Sequence, residues 1–419
     1  MSIDSDTPPF DDSFYDAVVA ELYGNGGYTP DYLTTPNGSA LIGETNRVLS
    51  DAVSKGVSSI TEEPDPAFSA ALAQNTFIFS GFKTHQELQE VNSLLRDKDG
   101  NLRPFDEFKR DVDKLGKEYN LNYLRTEYNH AVQSAQMAAK WQEFQKHKDF
   151  VNLQYRTAND ERVRAEHAAL HGTTLPVDDP FWTKYLPPLG WNCRCTVVEV
   201  LKDSYPESNS DEATRAGDSA TSQPSQKIFR FNPGKELKVF PPKHPYLPKG
   251  CGNCTKKKDV GLIFEPSEAN CQACVRIAQC WRDYTKTQIA KIRVHYKKHL
   301  KEVYGDRKIS QNGNGHTISI GFNIDGIKHL VNDVLNNCSG FDMDWLDQLP
   351  ELLANGSFVT KKGLFHDRTD NLKRFYYYRI EINGQQFYVS VGETDFTNQN
   401  GVVKHKRFVY SITNDLPGE

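Results

Sequence analysis

Apolar residues recur at spacings of three and four from about Thr84 to Phe150, which predicts helix over that stretch, with a break near Asp97–Arg103 at a Lys-Asp-Gly-Asn turn. Within it, Ala131, Ala135 and Ala138 alternate with Trp141 and Phe144 on one face, a mix of small and large groups suited to close helix packing. Ahead of it, residues 1–75 are rich in Gly, Pro, Asp and Thr, with a short helical stretch around Phe14–Tyr23. Residues 151–200 read as compact and irregular. Ser204 to Lys227, heavy in Ser, Asp, Glu and Thr, reads as a linker that continues through a Pro-rich patch at 240–245.

The rear of the chain changes period. Thr317–Phe322 alternates as a strand does, and Asp325–Leu335 reads as a helix. Arg374–Ile382 reads as a strand, Asn383-Gly384 as a hairpin turn, Gln386–Val391 as the returning strand and Arg407–Thr413 as a last one. The expected fold is therefore multidomain α+β. It has a segment at 1–75, a mainly helical domain at 76–200, a linker at 201–248, a cysteine-bearing module with a basic helix at 249–310, and an α+β domain with an antiparallel sheet at 311–419. A chain of 419 residues is too long for one ordinary core, which agrees with that division.

A mean hydropathy of -0.64 and the lack of any long apolar run argue against a membrane protein. The acidic start, Met1-Ser2-Ile3-Asp4-Ser5-Asp6, lacks the basic and apolar regions of a signal peptide, so the protein is expected to be made and used in a cytosol. In that compartment its 8 cysteines read as metal ligands or buried thiols before disulfides. Charge is uneven: Arg47 and Lys55 are nearly alone among carboxylates in the front segment, whereas Arg276 to Lys308 is strongly basic.

Between 121 and 197 lies a dense run of chemistry-bearing residues. Leu124-Arg125-Thr126-Glu127 opens a helix. Arg156-Thr157 then leads to Asp160, Val163-Arg164, His167, Leu170 and Gly172, and the run closes on Asn192-Cys193-Arg194-Cys195-Thr196. Cys193 and Cys195 are too close in sequence to pair comfortably with each other, yet both can reach one ion beside His167, with His171 or Asp160 as a fourth donor. The competing reading is a metal-free core with inert thiols, and both stay open. His167-x-x-x-His171 lacks the Glu of a zinc peptidase helix, which excludes that activity.

Taken together, the Arg-Thr-Glu helix, the Thr-x-x-Asp-x-x-Val-Arg-x-x-His-x-x-Leu-x-Gly run and the terminal Asn-Cys-Arg-Cys-Thr resemble the phage Mu protein F-like head morphogenesis family over roughly residues 85–200. Arg125, Glu127, Asp160 and Arg164 are the motif residues, with Gly190-Trp191 standing where many relatives have Pro-His. The resemblance implies a minor head protein working with portal and capsid or scaffold proteins, in the host bacterial cytoplasm during assembly and then in the virion head. It implies no catalysis for this domain.

Cys251-x-x-Cys254 and Cys271-x-x-Cys274 have the spacing of a zinc ribbon, in which four thiolates converge on one structural Zn2+; Lys256, Lys257 and Lys258 would offset the charge, and Cys280 is a substitute ligand. An amphipathic helix follows at Thr285–Tyr304, with Ile289, Ile292, Tyr296, Leu300 and Val303 on its apolar face. Lys291, Arg293, Lys297, Lys298 and Lys301 make the rest either a solvated face or a polyanion-binding one, packaged DNA included.

The helix ahead of a sheet in the last hundred residues resembles the barnase–EndoU–colicin–RelE-like nucleases, which would imply a metal-independent RNase. His329 would be its acid or base, Arg374 and Arg379 its phosphate clamps, and Ser411 and Thr413 its phosphate-facing hydroxyls, with His366 and His405 in reserve. The alternative is a purely structural protein whose rear half binds capsid, portal or nucleic acid.

Overall fold

The computed structural model describes residues 7–59, 66–247, 272–304, 307–313, 316–338, 341–363, 372–382, 384–399 and 401–416. The chain divides into two compact units, Met1–Arg282 and Asp283–Glu419.

The first unit opens with helices α1 (Tyr15–Gly24), α2 (Pro36–Val57), α3 (Pro66–Ser93), α4 (Phe105–Lys117) and α5 (Leu124–His147), the last entered through a π-helical turn at Glu118–Tyr123. Thr35 caps α2 by accepting from the Gly38 amide at 3.1 Å, and Pro36 suits its first turn. Leu41, Ile42, Val48, Leu49 and Ala52 then bury one face of α2. Gly56 lets α2 lie close on α5, because a Cβ there would stand 2.4 Å from the Val132 carbonyl oxygen and 2.8 Å from the Ala135 methyl. The small-residue face expected on α5 is thus a helix–helix contact. The front segment is not separate from this bundle: α2 packs against α3 and α5. Its length was hidden in the sequence by Gly and Ser positions that lower helix propensity.

Residues 151–200, expected to be irregular, instead build an antiparallel sheet ordered β2 (Thr174–Pro176), β1 (Val151–Arg156), β3 (Thr196–Leu201), with one-turn helices α6 (Ala165–Ala168) and α7 (Phe181–Tyr185) between its strands. Its core joins Met137, Trp141 and Phe144 of α5 to Leu153, Tyr155, Val197 and Trp182.

The linker expected at 201–248 is corrected by the structure. Helix α8 (Ser210–Ala220), capped by Asn209, sets Gly217 so close to Tyr185 that a Cβ would lie 2.7 Å from the ring. After the short turns α9 (Pro224–Lys227) and α10 (Pro233–Glu236), Gly234 is seated on Trp141 in the same way, and the Phe240 ring stacks on Phe79 at 3.6 Å. Polar composition was misleading because a few glycines and aromatics carry the packing.

Helix α11 (Gln272–Tyr304) starts well before the expected Thr285. Its first turns belong to the first unit, with Ile277 against Gly81, Trp281 against Phe77 and Arg276 paired to Asp31 at 2.7 Å. Farther along, Leu300 and Tyr304 are buried but Ile292 and Val303 are exposed, so the expected apolar face is only partly covered.

The second unit contains a six-stranded sheet ordered β4 (Lys308–Gly313), β5 (His316–Gly321), β9 (Val403–Thr413), β8 (Gln385–Thr397), β7 (Leu372–Ile382), β6 (Ser357–Gly363). The expected antiparallel sheet is in fact mixed, since β5 pairs with β9 in parallel at Gly321 and Phe408. Helix α12 (Ile324–Asn337), capped by Asn323, and helix α13 (Leu349–Asn355) contribute Ile327, Leu330, Val331, Leu349 and Leu353 to the core on one sheet face. A smaller aromatic cluster of Phe375, Tyr377, Phe408 and Tyr410 lies apart from it.

Candidate metal centre

Two loops meet at the end of the three-stranded sheet. One descends from β1 through Asp160 and Arg164 to His167 on α6; the other ends in Cys193 and Cys195 immediately before β3. Asn192 adopts φ 56°, a left-handed conformation that asparagine tolerates better than most residues, and so turns the chain into Cys193. Arg194 points away from the thiols and forks onto Asp160, both carboxylate oxygens lying 2.5 Å from its guanidinium nitrogens. That pairing holds the Asp160 carboxyl down at about 2. Arg164 donates to the Trp191 carbonyl at 2.7 Å, a second tie between the loops. Gly190 leaves room for that guanidinium, a Cβ there falling 3.1 Å from it.

Inside the clasp, His167 Nδ1 lies 3.6 Å from Cys193 Sγ and 3.7 Å from Cys195 Sγ, with all three side chains buried. These atoms lie within 4.8 Å of one another and can hold a metal ion. The geometry fits one. Zinc bonds of about 2.3 Å to sulfur and about 2.0 Å to nitrogen, at tetrahedral angles, place a sulfur and a nitrogen donor roughly 3.5 Å apart. The Cys193 thiol is held well below the ordinary thiol range by the Cys195 thiol donating to it, against burial, and by His167; Cys195 is pushed up by the same shared proton and by burial. Tyr155 lies beside Cys195, its phenol kept protonated first by burial and then by the two sulfurs. His167 Nε2 is buried with no hydrogen-bond partner among the described residues.

The fourth donors considered from the sequence are otherwise engaged. His171 Nδ1 accepts from the Thr157 amide at 3.2 Å and faces the Thr157 hydroxyl at 2.9 Å, and Asp160 is committed to Arg194. Three protein donors therefore face the centre among the described residues.

The other motif residues divide by burial. Arg125 is exposed. Glu127 is buried and lies 2.5 Å from Lys83 Nζ, whose side chain is 0% exposed. Glu127 also accepts from the Tyr246 hydroxyl. Beside this pair, Glu87 accepts from Tyr15 at 2.8 Å and Asn120 at 2.9 Å, and burial pushes its carboxyl up to about 7. Neither Lys83 nor Glu87 was singled out from the sequence, although a lysine after Phe77-Ile78-Phe79-Ser80-Gly81-Phe82 was a visible cation in an apolar run.

Of the cysteine module, Cys251, Cys254 and Cys271 lie outside the described residues, as do Lys256, Lys257, Lys258 and His366. Cys274 stands half-buried on α11, and Cys280 is not presented as a ligand, its buried thiol donating to the Leu33 carbonyl at 3.2 Å.

The proposed RNase residues are not gathered into one catalytic group. Arg374 and Arg379 stand five apart on a regular stretch of β7 and so point to opposite sheet faces, and Arg374 Nε is 2.9 Å from the buried Glu393 carboxylate. His329 stacks on Tyr410 at 4.2 Å between ring centres and lies 3.2 Å from its hydroxyl. Ser411 bonds Ser390, Thr413 donates to the Asp415 carbonyl, and His405 pairs with Asp395 at 2.6 Å.

The first unit is thus a helical domain that closes a His-Cys-Cys knuckle onto a three-stranded sheet. Residues 101–198, which contain that knuckle, match the family model described as Phage Mu protein F like protein. The chain is 35% identical over 117 residues to the putative capsid assembly protein F of Escherichia phage Mu, covering 26% of each chain. It is 49% identical over 49 residues to the Mu-like prophage FluMu F protein of Haemophilus influenzae, 12% of each. An uncharacterized protein of Methanocaldococcus jannaschii is 47% identical over 47 residues, 11% of this chain and 7% of the other. The match therefore spans about a quarter or less of these relatives' length. No solved structure matches.

Proposed function

We propose that the protein is a minor head component acting in phage capsid assembly, with residues 101–198 as its assembly domain. The carrying observation is that the family segment coincides with the clasped His167, Cys193 and Cys195 loops, and that two relatives sharing it are named as a capsid assembly protein F and as a Mu-like F protein. On this reading its partners are portal and capsid or scaffold proteins, met in the host cytoplasm before the protein enters the virion head. No helix among the described residues is long and apolar enough to cross a membrane.

The metal centre serves this role as a staple. A Zn2+ held by His167, Cys193 and Cys195 would cross-link the two loops, and its role is structural. We assign a second structural zinc to Cys251, Cys254, Cys271 and Cys274, on their paired spacing. The unit Asp283–Glu419 is proposed as an interaction module, since Arg374 is committed to Glu393 and His329 to Tyr410.

The test is complementation. In a phage carrying this gene, a Cys193→Ser and Cys195→Ser double variant should yield few filled heads and little head-associated protein, while a stable truncation lacking 283–419 should retain assembly. Normal head yield from a phage with the gene deleted would overturn the reading.

A further inference from the structure

A zinc ion held by His167, Cys193 and Cys195 is one donor short of a tetrahedron. Structural zinc sites are closed by four protein ligands, whereas a position left to water belongs to sites that substrate must reach. The three donor residues are 2, 3 and 6% exposed, so the centre is shut off from bulk solvent. Asp160 and His171 are engaged elsewhere. The missing donor must come from a buried group with spare capacity.

Tyr155 is such a group. It lies on β1 directly opposite Val197 of β3, and Cys195 stands two residues before Val197. The Tyr155 side chain is fully buried and belongs to the same core cluster as Cys193, Cys195 and Leu170. Its hydroxyl has no hydrogen-bond partner among the described residues, and it is near enough to both sulfurs to feel their charge. A buried hydroxyl left unpaired is costly, and in a native protein it calls for an explanation.

The backbone fixes the residue from both loops. The Tyr155 amide donates to the Thr173 carbonyl, and the Gly172 amide donates to the Tyr155 carbonyl, each at 2.9 Å. Those bonds fasten Tyr155 to the chain returning from His167, while pairing with β3 fastens it to the chain leaving the cysteines. Asn152 and Gln154 also carry unpartnered buried oxygens, but alternation along β1 sends them to the other sheet face.

We propose that the Tyr155 hydroxyl oxygen is the fourth zinc ligand, closing a His-Cys-Cys-Tyr centre. The proposal rests on the zinc reading of this site. A phenolate offers zinc an anionic oxygen, as a carboxylate does. On binding, the phenol's proton leaves to solvent and the cation takes its place. Two thiolates and one phenolate around Zn2+ leave a single net negative charge. Arg164 and Arg194, both within electrostatic range of the sulfurs, offset it.

The test uses the full chain carrying Cys251→Ser/Cys254→Ser, which leaves the His167 centre as the remaining assigned zinc site. Zinc is added to the metal-free protein under reducing conditions, with near-ultraviolet difference absorption and a competitive chelator titration as readouts. About one ion should bind, and the difference band of one ionised phenol should grow in step with it. Adding Tyr155→Phe, which keeps the ring and its packing, should abolish that band and weaken binding by more than roughly tenfold. The metal-free melting temperature should not fall, because the hydroxyl removed has no partner there. Zinc bound with no phenolate band, or with unchanged affinity in Tyr155→Phe, would overturn the proposal and leave the zinc reading standing with water as the fourth ligand. No zinc bound at all, or zinc retained after Cys193→Ser/Cys195→Ser in the same chain, would overturn the zinc reading and the proposal with it.

Discussion

Asp160 and Arg194 join the two loops of the metal centre through a forked ion pair, both carboxylate oxygens 2.5 Å from guanidinium nitrogens. Arg194 lies between Cys193 and Cys195, so this surface pair fixes where the two thiols point. Asp160→Asn should weaken zinc binding roughly ten- to a hundredfold, as loss of groups supporting metal ligands commonly does. A competitive chelator titration measures it; an unchanged affinity would show that the pair merely decorates the surface.

Metal content separates the two zinc assignments. Protein expressed with zinc should carry about two ions per chain, by the ligand sets of two independent centres. The Cys193→Ser/Cys195→Ser variant should lose one and Cys251→Ser/Cys254→Ser the other. A single ion in wild type that survives the first substitution would remove the His167 centre.

The Lys83–Glu127 pair is buried on both sides. Lys83→Met strands the Glu127 charge and should cost about 3–5 kcal/mol, read by chemical denaturation. Adding Glu127→Leu removes the stranded charge and should recover part of that loss. A double variant no more stable than the single one would mean that Lys83 acts through packing alone.

Glu87 makes stability depend on pH. Its carboxyl is raised from 4.5 to about 7, first by burial. The protonated form is therefore favoured in the folded state. This contribution is fully present below the unfolded value and is lost as pH rises from 4.5 through about 7, the window in which the unfolded chain ionises and the folded one does not. Glu87→Gln keeps the acceptor for Tyr15 and Asn120, so at about pH 8 it should be more stable than wild type by roughly a few kcal/mol. The two should converge toward about pH 4. Parallel stability curves across that range would contradict the assignment.

Gly217→Ala tests the packing of α8. The added methyl must displace the Tyr185 ring. A loss of roughly 1–3 kcal/mol is expected, whereas a true linker would tolerate alanine or gain from it.

What the sequence determined by itself was local. Alternation located β5, β7, β8 and β9 because side-chain direction repeats every two residues, and the 3.6-residue period located α5 and α12. The Asn-Cys-Arg-Cys-Thr motif pointed to the knuckle because two thiols one residue apart can both reach a single ion. Tertiary structure decided what depends on distant partners. Gly217 and Gly234 look like linker residues until Tyr185 and Trp141 are placed on them. Arg374 looks like a phosphate clamp until strand register sets Glu393 beside it, and Asp160 looks like a metal ligand until Arg194 takes both its oxygens. Periodicity records only the local direction of the backbone. Which side chain meets which across a long loop is set by the total free energy of packing the unit, and no short window of residues carries it.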